Sequence, residues 1–398
     1  MTRFFTSKWD LHVFFLAPKS PKGDLRTDDG IAKAPFRGWG VPKILIIIIA
    51  LCCVFISSCK TKTNTSPDDS KIFLKPEYAK GFLVKEDGAN YYIHIINPSD
   101  TNELVAKIEL RKDEIKRDNK LVCFSTTHIA FCDKIERINN ICGIPDTNYY
   151  NKVDIFRKLK QEVEIITLAN SPKTEKIISL MPDFITTSEY QKSNFLSLEN
   201  AGIKCIPILE YLETHPLGRA EWLKLFAFLF DELELANEIC AGIFKRYNDI
   251  AAEQSNITTK PSIFDCMEYH GYWYAAGGRS YIAAFYKDAG FDYIFADDTH
   301  TGSFPISSEI AIAKGATTEF WRIVFPTNTE LVIDDVINQN YLYKSFSAVK
   351  SGKVIACNPS TTQYYIEDIL EPEVVLQDFI NCRNGDDEGG RYYRLLSR

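Results

Sequence analysis

Residues 210–250 read EYLETHPLGRAEWLKLFAFLFDELELANEICAGIFKRYNDI. From Arg219 to Ala252 the apolar positions keep helical spacing: Trp222, Leu225, Phe226, Leu229 and Phe230, then Ala236, Ile239, Cys240, Ile243, Phe244, Tyr247, Ile250 and Ala251. Two consecutive helices are predicted. The second is about twenty residues and roughly 30 Å long at ~1.5 Å per residue, enough to run along one domain and into another.

The flanks of this stretch share one texture. From Leu121, LVCFS leads to a helix from Thr127 to Ile138, then ICGIP, EIITL, a helix from Thr174 to Leu180, DFITT, a helix before Gly202, and IKCIPI. After Pro261 the alternation resumes with SIFDCMEY, a helix from Ser280 to Ala289, DYIFAD, a helix after Ser307, FWRIVFP, a helix from Val332 to Asn338, KVIACN and a final helix after Pro372. Repeated βα units imply a mainly parallel sheet covered on both faces. The expected fold class is α/β, with two Rossmann-like lobes over 121–212 and 256–398 joined by a long bridging helix within 213–255. Upstream, GFLVKED, NYYIHIIN and ELVAKIEL are short alternating segments separated by Gly88-Ala89-Asn90 and Asn97-Pro98-Ser99-Asp100, which predicts a β-meander over 72–120.

The N-terminus carries an address. Lys43 precedes an unbroken apolar run from Ile44 to Ile56, thirteen residues. A helix of that length spans roughly 20 Å against the ~30 Å of a hydrocarbon core, so a signal-peptide core fits and a transmembrane helix does not. Ile56-Ser57-Ser58-Cys59 then resembles the bacterial lipobox, with Cys59 as the lipid-modified residue. Residues 1–58 are read as signal peptide with an overextended start, because forty residues precede Val41 where a few suffice. Residues 59–71, rich in Lys, Thr, Asn and Asp, are read as anchor and flexible tether.

Composition narrows the function. A formal charge of −7, with 46 basic and 53 acidic residues intermixed, offers no cationic stripe for a phosphate backbone, so no nucleic-acid partner is expected. Aromatic residues reach 13%, enough to line a pocket for a large flat ligand or to fill a core. Of the eleven cysteines, eight fall in the folded part, without a CxxC pair or zinc spacing. Buried free thiols are expected, with a Cys132–Cys142 disulfide left open. Nucleophile elbows, HExxH, phosphate loops and EF-hand loops do not occur, so no catalytic residues are assigned and the protein is not read as an enzyme.

These segments resemble, in order, the periplasmic substrate-binding proteins of ABC importers for iron siderophores, haem and cobalamin. KLVCFSTTHIAFCDKIERINNICGIPDTNYY is similar to the opening strand, Ser/Thr-rich turn, helix and second strand of that family. LMPDFITTSEY and ENAGIKCIPI match later strands, residues 210–250 match the linker, WYAAGGRSYIAAFYKDAGFDYIFAD matches the strand, glycine turn and helix of the second lobe, and LEPEVVLQDFI matches the last helix. The resemblance covers nearly all of 73–385. It implies a rigid clam with the ligand between the lobes, no permanently bound cofactor, and delivery of an iron chelate or corrinoid to an ABC importer permease in the inner membrane, from a lipid-anchored position on the periplasmic side. A divalent-metal ligand is the third possibility.

Candidate ligand-binding residues follow from strand ends and loops. Ser125, Thr126 and Thr127 end a strand and open a helix, facing an anionic ligand or simply capping the helix. Tyr149 and Tyr150 lie in a loop, and Tyr190 follows the DFITTSE strand end, where open α/β sheets place ligands. Alternation sends Trp273 one way and Tyr272 the other, so one of the two is expected in the pocket. Arg279, beside two glycines, suits a carboxylate, catecholate or propionate. Phe304 and Tyr364 sit on loops that reach the same edge. His128, His270 and His300 would be the donors for a bare cation, though their spacing does not demand one, and no metal is assigned. The resemblance also implies permease docking through one glutamate per lobe: Glu309 in the first turn of a second-lobe helix, and Glu189 as the nearest first-lobe counterpart, several residues from where the pattern places it.

Overall fold

The computed structural model describes residues 70–145, 154–159, 163–166, 174–188, 192–269, 271–386 and 390–396. The signal segment, Cys59 and most of its tether, Tyr149, Tyr150, Glu189, Tyr190 and His270 lie outside the described residues.

The chain enters through the meander: β1 (Lys71–Leu74), β2 (Phe82–Asp87), β3 (Asn90–Asn97) and β4 (Asp100–Arg111), antiparallel and in sequence order. Alternation buries one face, through Phe82, Val84, Ile93, Ile95, Ile108 and Leu110. That face lies on the bridge, with Phe82 centred 5.0 Å from Trp222 and both Phe73 and Tyr91 against Phe228. Two fully buried carboxylates pin the β1–β2 connection: Glu221 accepts the N–H groups of Glu77, Tyr78 and Ala79, while Glu213 accepts those of Lys80 and Gly81 together with Trp222 Nε1. Buried charge is tolerable only with such partners. Gly81 is required there, since a Cβ would stand 2.3 Å from the Trp222 ring.

The first lobe is a five-stranded parallel sheet of β5 (Leu121–Cys123), β6 (Ile141–Pro145), β7 (Glu164–Ile166), β8 (Phe184–Thr187) and β9 (Lys204–Pro207), in the order β7-β6-β5-β8-β9. In the second lobe the strands are β10 (Ser262–Phe264), β11 (Met267–Tyr269), β12 (Tyr272–Ala276), β13 (Asp292–Tyr293), β14 (Ser303–Ile306), β15 (Phe320–Val324), β16 (Val354–Cys357) and β17 (Arg394–Leu395). Its main sheet runs β13-β10-β15-β16-β17, parallel except for β17.

The second lobe departs from expectation at one place. SIFDCMEY is two strands, and β11, β12 and β14 form a separate antiparallel sheet, so the SFPI stretch expected as loop is a strand. Asp265 sits at the break. Its carboxylate accepts the Ala276 N–H at 3.0 Å and the hydroxyls of Tyr286 and Tyr293 at 2.9 and 3.1 Å, bonds that a continuing ladder could not supply.

The bridge is three helices, Pro216–Glu221, Leu223–Leu229 and Leu233–Glu253, where the periodicity predicted two. Pro216 opens the first of them, Trp222 separates the first from the second, and the left-handed Asp231 (φ +56°) ends the run before the long helix. The 21-residue helix buries Ala236, Cys240, Ile243, Phe244 and Tyr247. It packs on Leu223–Leu229 on one side and on the second-lobe helix Pro372–Asn384 on the other, where Arg246 Nε donates to Glu373 at 2.7 Å. Each large apolar side chain so buried contributes about 1.5–3 kcal/mol. One apolar core therefore runs from the meander through Trp222 and Leu225 to Phe285 and Phe379.

All eight described cysteines are free thiols, Cys132 and Cys142 included.

Candidate functional site

The two lobes meet where β5 gives way to the helix Thr126–Lys134. Ser125 has the extended backbone of a helix cap, but its side chain does not cap; its hydroxyl lies 2.9 Å from that of Thr127. Of the two readings open for this turn, simple capping is thus not what the geometry has. Thr126 Oγ1 instead reaches across the seam to the Tyr365 carbonyl at 3.4 Å, and Thr127 Oγ1 donates to Glu210 Oε1 at 2.9 Å. This is the carboxyl edge of a parallel sheet, where α/β proteins place ligands.

Behind the seam runs a buried charged chain that sequence reading missed. Arg219 of the bridge donates to Asp368 of the second lobe at 3.0 Å and covers the Tyr281 ring at 4.0 Å. Arg322 donates to the Tyr393 hydroxyl at 3.0 Å and approaches that of Tyr364 at 3.5 Å. Burial raises the carboxyl pKa of Glu210 and of Asp368, opposed in both by Arg219. Glu210 Oε2, Arg219 Nε and Asp368 Oδ1 are buried without a protein partner, although buried polar atoms usually have one. Each of these residues lies inside a helix, strand or helical turn, so nothing in its neighbours marks it.

The expected second-lobe aromatics separate. Alternation along β12 does send Trp273 and Tyr272 to opposite faces. Trp273, 5% exposed, packs edge-on against Tyr343 within a core cluster, whereas Tyr272 is 65% exposed. Tyr364 is likewise buried, in edge-on contact with the rings of Tyr365, Tyr392 and Tyr393. Both Trp273 and Tyr364 are placed as core rings, differently from the expectation of rings facing a ligand, because the apolar layer beneath each strand end claims them. Phe304 stacks on His300 at 5.5 Å.

Gly277 and Gly278 bring the following turn against the 295–302 loop: a Cβ on either would stand within 2.4 Å of a carbonyl oxygen there. The Arg279 N–H closes the approach on the His300 carbonyl at 3.1 Å. Its guanidinium is solvent-exposed.

His128 is fully buried with neither ring nitrogen bonded, and burial pushes its pKa down to about 3. His300 is exposed beside Asp298 at 3.0 Å. Among the described residues no three His, Cys, Asp or Glu side chains are grouped to hold a metal ion. Glu309 lies exposed in the first turn of the helix Ser308–Gly315; its own N–H and the Ser307 hydroxyl lower its pKa, as the positive helix end favours.

Comparison with known proteins accords with this arrangement. The family model described as periplasmic binding protein matches residues 121–361. An uncharacterized lipoprotein of Methanocaldococcus jannaschii is 27% identical over 288 residues, covering 68% of this chain and 66% of that protein, just short of two thirds of its length. Among solved structures, a periplasmic binding protein from Veillonella parvula superposes with a TM-score of 0.56 at 14% identity, over 75% of this chain and 99% of its own. A periplasmic heme binding protein from Pseudomonas aeruginosa gives 0.53 at 14%, over 70% and 98%. An ABC-type Fe3+-hydroxamate transport system from Saccharomonospora viridis gives 0.53 at 14%, over 69% and 96%.

Proposed function

We propose, from the premise that this chain belongs to the periplasmic binding protein family, that it is the substrate-binding component of an ABC importer and captures an iron complex, a siderophore or haem. The observation that carries the reading is the seam itself: the family match spans both lobes, and the Thr126 hydroxyl of the first lobe crosses to the Tyr365 backbone of the second at the carboxyl edge of a parallel sheet. Fold neighbours that are a heme binding protein and an Fe3+-hydroxamate transport system support the ligand class.

In this reading Ser125, Thr126 and Thr127 present hydroxyls and helix N–H groups to the oxygens of the chelate. Tyr149, Tyr150 and Tyr190 supply first-lobe rings, while Tyr272 and Phe304 supply those of the second. The chelate is carried, not transformed. Because the bridge shares one apolar core with both lobes, capture proceeds with small rearrangement at the seam and not a wide hinge motion. Cys59 holds the protein on the outer side of the membrane, as the lipoprotein relative suggests, and Glu309 with Glu189 contacts the permease.

Titration of the purified protein with haem, cobalamin and several ferric siderophores, read by tryptophan quenching, tests this. Saturable binding of an iron complex is expected. Tight binding of cobalamin alone would move the assignment to corrinoids, and binding of none would overturn it.

A further inference from the structure

A cavity lies along the helix Tyr281–Asp288 and the edge strand β13. Its volume is about 410 Å³. Three separate parts of the chain line it: Lys80 from the meander, Thr214 from the bridge, and Lys260, Arg279, Lys287 and Asp292 from the second lobe. Lys260 stands just before β10 and Asp292 opens β13, so this end of the cavity is at the amino edge of the sheet. Ligands of α/β sheets sit at the opposite edge.

Charge makes the cavity unusual for this chain. The protein carries a formal charge of −7, yet four of the side chains lining this one depression are cationic and one is acidic. Lys80 Nζ is tied to Thr214 Oγ1 at 3.1 Å, which fixes one wall. Among the described residues, no carboxylate is paired with Lys260, Arg279 or Lys287, although other surface lysines and arginines, such as Lys158, Lys245 and Arg391, have acidic partners. Four like charges around one concavity repel each other in the empty state and focus a positive potential into it.

We infer that this cavity binds a multiply charged phosphate-type oxyanion, either free or as a lipid headgroup. Arg279 offers a planar fork for two oxygens, and the lysines act as point charges around it. The helix beginning at Tyr281 adds the positive end of its dipole. The site holds no residue of the charged chain behind the seam, and of the expected ligand-binding residues it takes only Arg279.

The test uses the full protein without its transported ligand. Inorganic pyrophosphate is titrated by calorimetry, and flotation compares phosphatidylcholine vesicles with vesicles that also contain phosphatidic acid, whose headgroup is a phosphomonoester. Saturable, salt-sensitive pyrophosphate binding with no vesicle preference identifies a soluble anion, whereas preference for the anionic vesicles identifies a headgroup; either supports the site. The reversals Lys260→Glu and Lys287→Glu, each a change of two charge units, should each weaken that binding about thirtyfold, while the same reversal at Lys344, which does not line the cavity, should leave it intact. Absence of binding to both probes, or binding equally weakened by the Lys344 reversal, overturns the proposal. Unchanged melting temperature in the lysine variants separates loss of a site from loss of fold.

Discussion

Arg219 and Asp368 form a buried ion pair, Nη1 to Oδ2 at 3.0 Å, that ties the first helix of the bridge to a turn of the second lobe 149 residues away. The guanidinium also covers Tyr281 and faces Glu210, so a single side chain serves both lobes.

Removing Asp368 leaves a buried guanidinium with only Glu210 to offset its charge. Asp368→Ala should therefore cost roughly 3–5 kcal/mol of unfolding free energy, whereas Arg219→Met combined with Asp368→Leu should recover much of that loss. Urea unfolding of the two variants checks this. A single variant as stable as the parent would mean that solvent reaches the pair.

Trp273 now belongs to stability. Trp273→Ala should lower unfolding free energy by about 3–5 kcal/mol, the usual cost of emptying a large aromatic site, with ligand affinity nearly unchanged in the folded fraction. Lowered affinity at unchanged melting temperature would return this ring to the pocket.

His128 sets an acid limit. Its folded pKa of about 3 lies below the ordinary 6.5, so between these values the unfolded chain binds the extra proton. Its stabilising contribution is complete above pH ~6.5 and is lost as pH falls toward 3. By pH 5 the loss is about 2 kcal/mol, at 1.36 kcal/mol per unit. His128→Leu should flatten the stability profile over that window in chemical unfolding at stepped pH. An unaltered slope would place the acid sensitivity elsewhere.

Glu309→Arg should cripple uptake in cells while leaving isolated ligand binding intact, and association of the parent with permease should weaken with added salt. Normal uptake at the usual expression level would leave Glu309 a helix-terminus residue.

Cys59→Ser should release the protein from membranes and abolish palmitate labelling. Labelling that persists in the variant would refute the anchor.

Periodicity carried the architecture. The spacing of Trp222 to Phe230 and of Ala236 to Ala251 made the bridge legible, and alternation separated Trp273 from Tyr272, because both patterns are local consequences of backbone geometry. The β11–β12–β14 sheet was not legible, since its break depends on Asp265 meeting Tyr286 and Tyr293, partners up to 28 residues distant. The same reason hid the charged chain. Arg219, Arg322 and Asp368 look like ordinary surface charges until the fold buries them together, and only the fold shows that Gly277 and Gly278 admit the 295–302 loop.

The buried thiols have a consequence for how the protein meets oxidants. Burial pushes Cys142 up to about 11 and Cys205, Cys240, Cys357 and Cys382 to about 12. Exchange and oxidation proceed through the thiolate, which is nearly absent at neutral pH in such groups. These five sulfurs are thus poor substrates for disulfide catalysts.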